Sequence, residues 1–185
     1  MQPSAQYEAF IAELVRVLLL NRGASDVRFG PQNHLTGASA AKHQVDVSFI
    51  DKETSPHRLV VIECKYLGKR IGLGHVKVLK ATIDDLAEKM GSEVVVKGVL
   101  VSLRVAQSGA ITYAKHCGID LQIVPDRSAC RFKYADLELV AAKAEGFGRS
   151  KASGHGVALC ACKLCSLTFQ GDGASQVCQS CSAAK

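Results

Sequence analysis

Apolar positions near the start of the chain repeat at the spacing of a helix. The residues that follow this spacing are Phe10, Ile11, Leu14, Val15 and Leu18. Because one face of a helix carries every third or fourth residue, the pattern predicts a helix over about residues 5–20, ended by the Asn-Arg-Gly sequence at 21–23. A short strand is predicted over 26–29. The segment "GPQNHLTGAS" that follows it is rich in turn-forming residues and predicts a loop.

Two strands are predicted next. From residue 44 polar and apolar residues alternate, with Gln44, Asp46 and Ser48 on one face and Val45, Val47 and Phe49 on the other. Since successive side chains of a strand point to opposite faces, this pattern indicates a half-buried strand. The segment "DKETSPH" at 51–57 is typical of a hairpin connection, and the apolar run that follows it predicts a strand over 59–66.

The rest of the chain alternates helix and strand before its composition changes. The pattern predicts helices over about residues 75–90, 108–118 and 134–144 and strands over 94–103 and 120–124. Residues 146–158 are rich in Gly and Ser, as in a flexible linker, and residues 159–185 are rich in Cys. The order α-β-β-β-α-β-α-β-α therefore predicts a mixed α/β domain over residues 1–145, a linker and a small tail domain.

The composition indicates a chain with a substantial core and a basic surface. Of its 185 residues 48% are hydrophobic, and the net charge of +6 permits a polyanionic partner. Aromatic residues make up 5% and Trp is absent, so an extended base-stacking surface is not expected. The first residues lack a signal-peptide pattern, and no apolar run is long enough to span a membrane. We therefore expect a cytoplasmic protein, in which thiols stay reduced.

Charged residues at the end of the strand predicted over 59–66 indicate a candidate catalytic centre. Glu63 and Lys65 project to the same face of that strand, and Asp46 lies on the polar face of the strand before it. If the two strands pair as a hairpin, Asp46 and Glu63 lie close enough to share a divalent cation, and their oxygens suit magnesium or manganese. Lys65 would position an attacking water. The alternative for Glu63 and Lys65 is a surface ion pair.

A basic run adjoins this centre. Between Lys65 and Lys80 there is no acidic residue, and the candidates for contacts with DNA phosphates are Lys69, Arg70, His75, Lys77 and Lys80. A solvated basic face of the helix predicted over 75–90 is the alternative. Gln44, two residues before Asp46, either orients a water or a phosphate or is a polar residue at the strand edge.

Together these residues resemble a known enzyme superfamily. Asp46, sixteen residues and then Glu63-Cys64-Lys65 resemble the D…(D/E)xK signature of the PD-(D/E)xK nucleases, with Val45 where that signature has proline. Four segments resemble Mrr-like restriction endonuclease domains, in the order that this fold requires: residues 7–10, 35–49, 60–79 and 96–121. The likeness covers about residues 7–124.

The resemblance implies a restriction-endonuclease-like fold, a mixed sheet flanked by helices with an α-β-β-β-α-β core, and a magnesium-dependent DNA endonuclease. Asp46 and Glu63 would be metal ligands and Lys65 the catalytic lysine. The acid of the first helix would be Glu8, with Glu13 as the second choice. A homodimer would place two centres on the two strands of a duplex, and neither a membrane partner nor a small-molecule cofactor is expected. The alternatives are a structure-selective repair or recombination nuclease and a catalytically silent DNA-binding module.

The cysteine-rich tail has the spacing of a zinc site. Two Cys-x-x-Cys pairs separated by twelve residues supply four thiolates, those of Cys162, Cys165, Cys178 and Cys181. Four thiolates suit a tetrahedral structural zinc, and Cys160 is an alternative ligand. A segment this short cannot bury enough core to fold alone, so zinc would be its main source of stability. The alternatives are a redox-active pair and an unstructured tail.

We expect the purified protein to carry about one tightly held zinc per chain, because four thiolates form one tetrahedral site. Cys178→Ser should release the zinc and leave roughly the first 140 residues folded, since that domain has its own core. Elemental analysis and circular dichroism check the two outcomes. Protein purified without chelator that contains no zinc would contradict the zinc site.

Overall fold

A five-stranded mixed sheet organises the part of the chain that the structure describes. The structure is a computed structural model and describes residues 3–19, 26–125, 129–135, 137–142, 159–161 and 168–170. None of the described helices combines the length and the apolar character that crossing a membrane requires. In chain order the elements are α1 Pro3–Leu19, β1 Arg28–Phe29, β2 His34–Thr36, β3 Lys42–Gln44, β4 Val47–Asp51, β5 His57–Lys65, α2 Leu73–Met90, β6 Val94–Ser102, α3 Ser108–Cys117, β7 Asp120–Ile123, β8 Ala129–Tyr134, β9 Leu137–Ala142, β10 Leu159–Ala161 and β11 Thr168–Gln170.

The strands of the sheet follow the order β1-β4-β5-β6-β7. β4 pairs antiparallel with β1 and β5, whereas β5, β6 and β7 run parallel. Parallel neighbours need a crossover connection, and α2 and α3 form the two crossovers. The predicted fold class is therefore confirmed: a mixed α/β sheet flanked by helices, with the order α-β-β-β-α-β in its core.

Both faces of β5 are buried, which explains its continuous apolar sequence. Val60 and Ile62 pack with α1 on one face, and Leu59 and Val61 pack with α2 and α3 on the other. Strands that are covered on both faces carry apolar runs instead of alternating polar and apolar residues. The core thus fixes β5 at the centre of the sheet, and the strand ends at Lys65.

The strand predicted from residue 44 is divided by a bend at Val45 and Asp46. β3 ends at Gln44 in a separate hairpin with β2, and β4 begins at Val47. Val45 packs beside α2, whereas Val47 packs beside α1, so the prediction that they share a face was wrong. Asn33 provides hydrogen-bond partners for the backbone of Val45 in this bend. The carbonyl of Asn33 accepts a hydrogen bond from the amide of Val45, and its Nδ2 donates to the carbonyl of Val45, both at 2.9 Å.

A β-hairpin replaces the helix that the sequence predicted over residues 134–144. β8 pairs antiparallel with β9, and in β8 the buried Phe132 and Tyr134 lie on either side of the exposed Lys133. This period of two, which the helical interpretation overlooked, indicates a strand with one buried face. Gln122 of β7 joins the hairpin to the sheet. Its side chain donates to the carbonyl of Lys133 at 2.6 Å and accepts from the amide of Lys133 at 2.9 Å.

Asp85 of α2 fastens the β2–β3 hairpin, which lies where the sequence predicted a loop. Its carboxylate accepts hydrogen bonds from the amide of Ser39 at 2.8 Å and from the hydroxyl of Ser39 at 2.7 Å, and it lies 2.6 Å from Nε2 of His43. These contacts, led by His43, lower the pKa of Asp85 to about 2. Since β3 leads directly into Asp46, Asp85 helps to fix the chain just before that residue.

The described part of the tail consists of two short strands. β10 and β11 pair antiparallel, with Cys160 opposite Phe169. The predicted linker over 146–158 and the four predicted zinc ligands lie outside the described residues. The zinc site therefore stays a prediction from the sequence.

We expect Gly37→Ala to destabilise the protein by about 1–3 kcal/mol, because the new Cβ would displace the carboxylate that fastens the hairpin. A Cβ at Gly37 would lie 1.8 Å from Oδ2 of Asp85. The control is Gly109→Ala in α3, where nothing lies within 4 Å of an added Cβ, and helix propensity predicts equal or higher stability there. The measurement is the free energy of unfolding in urea. Equal stability of both variants would contradict this role of Asp85.

Candidate active site

The register of β4 and β5 places two of the predicted site residues opposite each other. β4 begins at Val47, the Cα partner of Ile62, so Asp46 just before β4 comes close to Glu63 just after Ile62. Repulsion between the two carboxylates reflects this proximity. Oδ2 of Asp46 accepts a hydrogen bond from the amide of Cys64 at 2.7 Å, which holds the carboxylate against β5. The structure therefore brings together the two carboxylates that the sequence analysis paired.

The backbone of Asp46 is held from the opposite side by the loop after β1. Its carbonyl accepts a hydrogen bond from the amide of Gly30 at 3.2 Å. Gly30 has a φ of +87°, a conformation that glycine adopts far more readily than other residues. Gly30 and Asn33 thus hold the backbone of the two residues of the bend, and this fixes the position from which the Asp46 side chain extends.

Glu63 and Lys65 lie at the carboxyl end of β5 and remain partly accessible. Nζ of Lys65 donates a hydrogen bond to Oε1 of Glu63, and the side chains of Lys65 and Glu63 are 25% and 24% exposed. A ligand that competes for Glu63 can therefore reach it without any unfolding of the strand.

The first helix adds Glu8 to this group. The pKa of Glu8 is raised by partial burial and then by repulsion from Glu63, and the ammonium of Lys65 opposes this rise. Glu8 therefore lies within electrostatic reach of both residues. The carboxylate of Glu13 instead lies 3.5 Å from the guanidinium of Arg16. Of the two acids proposed for the first helix, the structure brings Glu8 to the site.

Burial and mutual repulsion make the negative charges of the site energetically unfavourable. The pKa of Asp46 is raised to about 6, first by burial and then by repulsion from Glu63, although the hydrogen bond from Cys64 favours the ionised form. At neutral pH Asp46 is therefore ionised in a setting that disfavours its charge. The same surroundings raise the pKa of the Cys64 thiol, which is buried and points away from the carboxylates. Cys64 is thus a buried residue of the core.

Asp46 and Glu63 fit a magnesium or manganese ion. Within the described residues, no group of three or more His, Cys, Asp or Glu side chains is arranged to enclose a metal. Magnesium does not need such a cage, because one or two carboxylates hold it together with waters and substrate oxygens. Two neighbouring carboxylates that repel each other, one of them with a raised pKa, form a site that such a cation would stabilise.

Three of the predicted phosphate contacts follow the end of β5 closely in the chain. Lys69 and Arg70 are exposed in the turn after β5, and His75 lies in the first turn of α2. The pKa of His75 is lowered by partial burial and then by the positive charges of Lys65 and Lys69. His75 is therefore close to the catalytic candidates, and at neutral pH it is predominantly uncharged.

The two lysines of α2 differ in their partners. Lys77 is exposed, whereas the ammonium of Lys80 pairs with the carboxylate of Asp84 one turn later. The run from 65 to 80 lacks an acid in sequence, but the helix brings the acid of the following turn against Lys80. Lys80 is therefore a weaker candidate for a phosphate contact than Lys77.

Gln44 lies in the two-stranded β2–β3 sheet, whereas Asp46 lies in the bend before β4. It is exposed in β3, where its Cα partner is His34. The bend before β4 removes the common strand face on which its proposed role was based. An accessory role for Gln44 stays a prediction from the sequence.

Comparisons with known proteins found similarity among solved structures. No family model matches the chain, and a search of curated proteins found no match. The chain is similar to a repair endonuclease from Pyrococcus abyssi, at 25% identity and a TM-score of 0.44 over 67% of this chain and 48% of that chain. It is similar to EndoMS in a complex with double-stranded DNA, at 25% identity and a TM-score of 0.44 over 65% of this chain and 45% of that chain.

A third similar structure is Can2 from Sulfobacillus thermosulfidooxidans in complex with cyclic tetra-adenylate. The identity is 15% and the TM-score 0.48, over 64% of this chain and 32% of that chain. The matched part of each of these three structures is thus less than half of its length. Because every one of these TM-scores is below 0.5, the function must be inferred from the geometry of this chain.

We expect the free energy of unfolding to depend on pH through Asp46. Its pKa is raised from 3.8 to about 6 on folding, so the folded protein binds this proton more tightly than the unfolded chain does. The associated stability is present below the unfolded value and is lost as the pH rises through about 6, by about 3 kcal/mol at most. Asp46→Asn should therefore be more stable than the wild type at about pH 7.5, and the two should converge at about pH 4.

Urea unfolding in chelator at the two pH values measures this difference, because titrations elsewhere in the protein cancel between the two proteins. Added magnesium should stabilise the wild type at the higher pH and leave Asp46→Asn unchanged. If the wild type and Asp46→Asn differ in stability by the same amount at both pH values, the pKa of Asp46 is not raised on folding.

Proposed function

We propose that this chain is a metal-dependent DNA endonuclease that hydrolyses a phosphodiester bond at a centre formed by Asp46, Glu63 and Lys65. The observation that carries the proposal is the meeting of Asp46 with Glu63 across paired strands, beside Lys65. Phosphodiester hydrolysis requires a cation site and a positive group near the phosphoryl oxygens, and these three residues supply both. The exposed basic residues after β5 suit a polyanionic substrate.

Asp46 and Glu63 would hold the cation, magnesium or manganese, from two adjacent strands. When bound, the cation polarises the phosphoryl group and makes a water molecule more acidic. The amide of Cys64 keeps the Asp46 carboxylate in place for this role. Partial burial strengthens the interaction of the carboxylates with a cation, since fewer waters screen it. Glu8 would add a third negative charge from α1.

Lys65 is the residue placed to act on the water and the phosphate. Its ammonium is paired with Glu63. That ammonium would orient the attacking water and stabilise the charge on the phosphoryl oxygens. The resemblance to PD-(D/E)xK nucleases implies that the water oxygen bonds to phosphorus while the bond to the 3′ oxygen breaks. The proton released by the water balances the one taken up by the 3′ oxygen, so the products are a 5′-phosphate and a 3′-hydroxyl.

The basic rim would position the DNA backbone. Lys69 and Arg70 follow the centre directly, and Lys77 lies farther along α2. His75 would act as a neutral hydrogen-bonding group close to the scissile phosphate, given its lowered pKa. Contacts of this kind fix the register of the protein on DNA and weaken as salt concentration rises.

We expect Glu63→Ala and Lys65→Ala each to lower the rate of DNA cleavage by about 100-fold or more, because each removes a charge that acts on the transition state. The measurement is the conversion of supercoiled plasmid to nicked and linear forms in magnesium. Lys97→Ala, an exposed lysine of β6, is the matched control and should cleave at the wild-type rate. In the same assay Glu8→Gln should reduce the rate, and Glu13→Gln, whose carboxylate faces Arg16, should not.

Trace cleavage that survives both Glu63→Ala and Lys65→Ala would come from a contaminant, and a catalytically silent DNA-binding module would then be the better assignment. Cleavage assays on linear, nicked, branched and methylated DNA distinguish a restriction enzyme from a structure-selective repair or recombination nuclease. Cleavage of branched DNA alone would favour a repair or recombination nuclease over a restriction enzyme.

A further inference from the structure

A groove opens beside the candidate active site, on the face of the sheet that α1 covers. Its volume is about 480 Å³, and its lining includes Gln6, Tyr7, Tyr66, Leu103 and Pro125. This volume is within the range of sites that bind small molecules or parts of larger ones. The groove has no role in the hydrolytic mechanism described above.

Two residues that line the groove directly adjoin catalytic candidates in the sequence. Tyr66 directly follows Lys65, and Tyr7 directly precedes Glu8. β5 ends at Lys65, so the groove lies at the carboxyl end of a central parallel strand. Ligands of open α/β sheets bind at the carboxyl ends of such strands.

Two tyrosines give the groove an aromatic surface. Tyr7 is buried, and its hydroxyl donates a hydrogen bond to the carbonyl of Val124 at 2.9 Å, which fixes its ring. The ring of Tyr66 lies 5.7 Å from that of Tyr7, at an interplanar angle of 53°. Tyr66 is nevertheless 47% exposed, so much of its ring faces solvent beside the active site. Tyr7 thus supports a ring that offers a further contact surface.

We propose that this groove, here called the Tyr66 groove, binds one unpaired nucleobase of the substrate strand, stacked on the ring of Tyr66. The assignment rests on the proposed function, because it adds a subsite to the same centre. Aromatic side chains hold the bases of single strands by stacking, whatever the base. The neighbouring Lys65, Lys69 and Arg70 supply positive charge for the phosphates of that strand.

The charge and the shape of this region favour a nucleotide over other aromatic or apolar ligands. An aromatic face beside cationic side chains complements a base that is attached to a phosphate. A base inside a duplex is stacked and paired and cannot reach the groove unless it leaves the helix. DNA with a nucleotide that is already unpaired, such as a branched or mismatched duplex, should therefore bind better than a fully paired one. One supported ring serves one base, in keeping with the low aromatic content of the chain.

The test compares two ligands of equal length and charge, a short oligo(dT) and an oligomer of abasic nucleotides. Dissociation constants are measured by fluorescence anisotropy in chelator, so that no cleavage occurs. The wild type should bind oligo(dT) more tightly than the abasic oligomer. Tyr66→Leu should weaken the binding of oligo(dT) by about 5- to 150-fold, the measured range for loss of one stacked base, and leave the abasic oligomer unaffected.

Two further variants control for the fold and for the ring. Tyr66→Phe keeps the aromatic ring and should bind both ligands like the wild type. Tyr113→Leu makes the same substitution on α3, outside the Tyr66 groove, and should also bind like the wild type. Unchanged binding of oligo(dT) by Tyr66→Leu would overturn the proposal, as would an equal loss for both ligands.

The outcomes for the subsite and for the nuclease are distinguishable, because the binding assay does not depend on cleavage. Base-dependent binding that requires Tyr66, in a protein that cleaves no DNA, would support the subsite and overturn the nuclease. Cleavage that requires Glu63 and Lys65, without base-dependent binding, would support the nuclease and overturn the subsite.

Discussion

The antiparallel register between β4 and β5 is the constraint on which the candidate site depends. Side chains of a strand alternate between faces, so a shift of one residue would separate Asp46 from Glu63 and move each to a different environment. Burial prevents such a shift, since Val47 and Ile62 pack into the same core. The bend before β4 allows Asp46 to follow a hairpin in a separate sheet and still meet Glu63.

The stable packing of the core contrasts with the electrostatic cost of the site. Asp46 is ionised at neutral pH although burial and a neighbouring carboxylate disfavour its charge. Lys65 compensates part of this charge through Glu63. Groups with perturbed pKa values cluster where proteins bind ions or carry out chemistry, because such groups gain most from a ligand of opposite charge. A cation would therefore contribute both to stability and to the proposed reaction.

The end of β5 separates two kinds of surface. Glu63 and Lys65 share the strand face that carries Leu59 and Val61 towards α2, and Tyr66 continues the opposite face towards α1. Because side chains alternate along the strand, the charged groups and the aromatic ring lie on opposite faces of the sheet at the end of β5. A nucleotide has a matching division, with a charged phosphate and a planar base on either side of its sugar.

Local patterns were sufficient for most of the sheet and its helices. The period of α1, the apolar run of β5 and the stripe of α2 were predicted within a few residues, because each element buries a face that its own sequence marks. The proximity of Asp46 and Glu63 was also predictable, since two consecutive strands that pair as a hairpin place such residues on neighbouring strands. The helix proposed over 134–144 was wrong because a short amphipathic segment fits both the period of a helix and that of a strand. In the structure the segment forms a hairpin, and Gln122 bonds to the backbone of Lys133 in that hairpin.

The sequence alone therefore determined which carboxylates and which lysine meet, since strand alternation and chain order bring them together. The tertiary structure decided the bend at Asp46, the position of Glu8 within electrostatic reach of Glu63 and Lys65, and the contact between Tyr7 and Tyr66. Each of these depends on partners that no short-range pattern specifies: Asn33 and Gly30 across a loop, and the packing of α1 on the sheet. Side-chain periodicity is encoded locally, but the contacts between elements arise only when the elements pack.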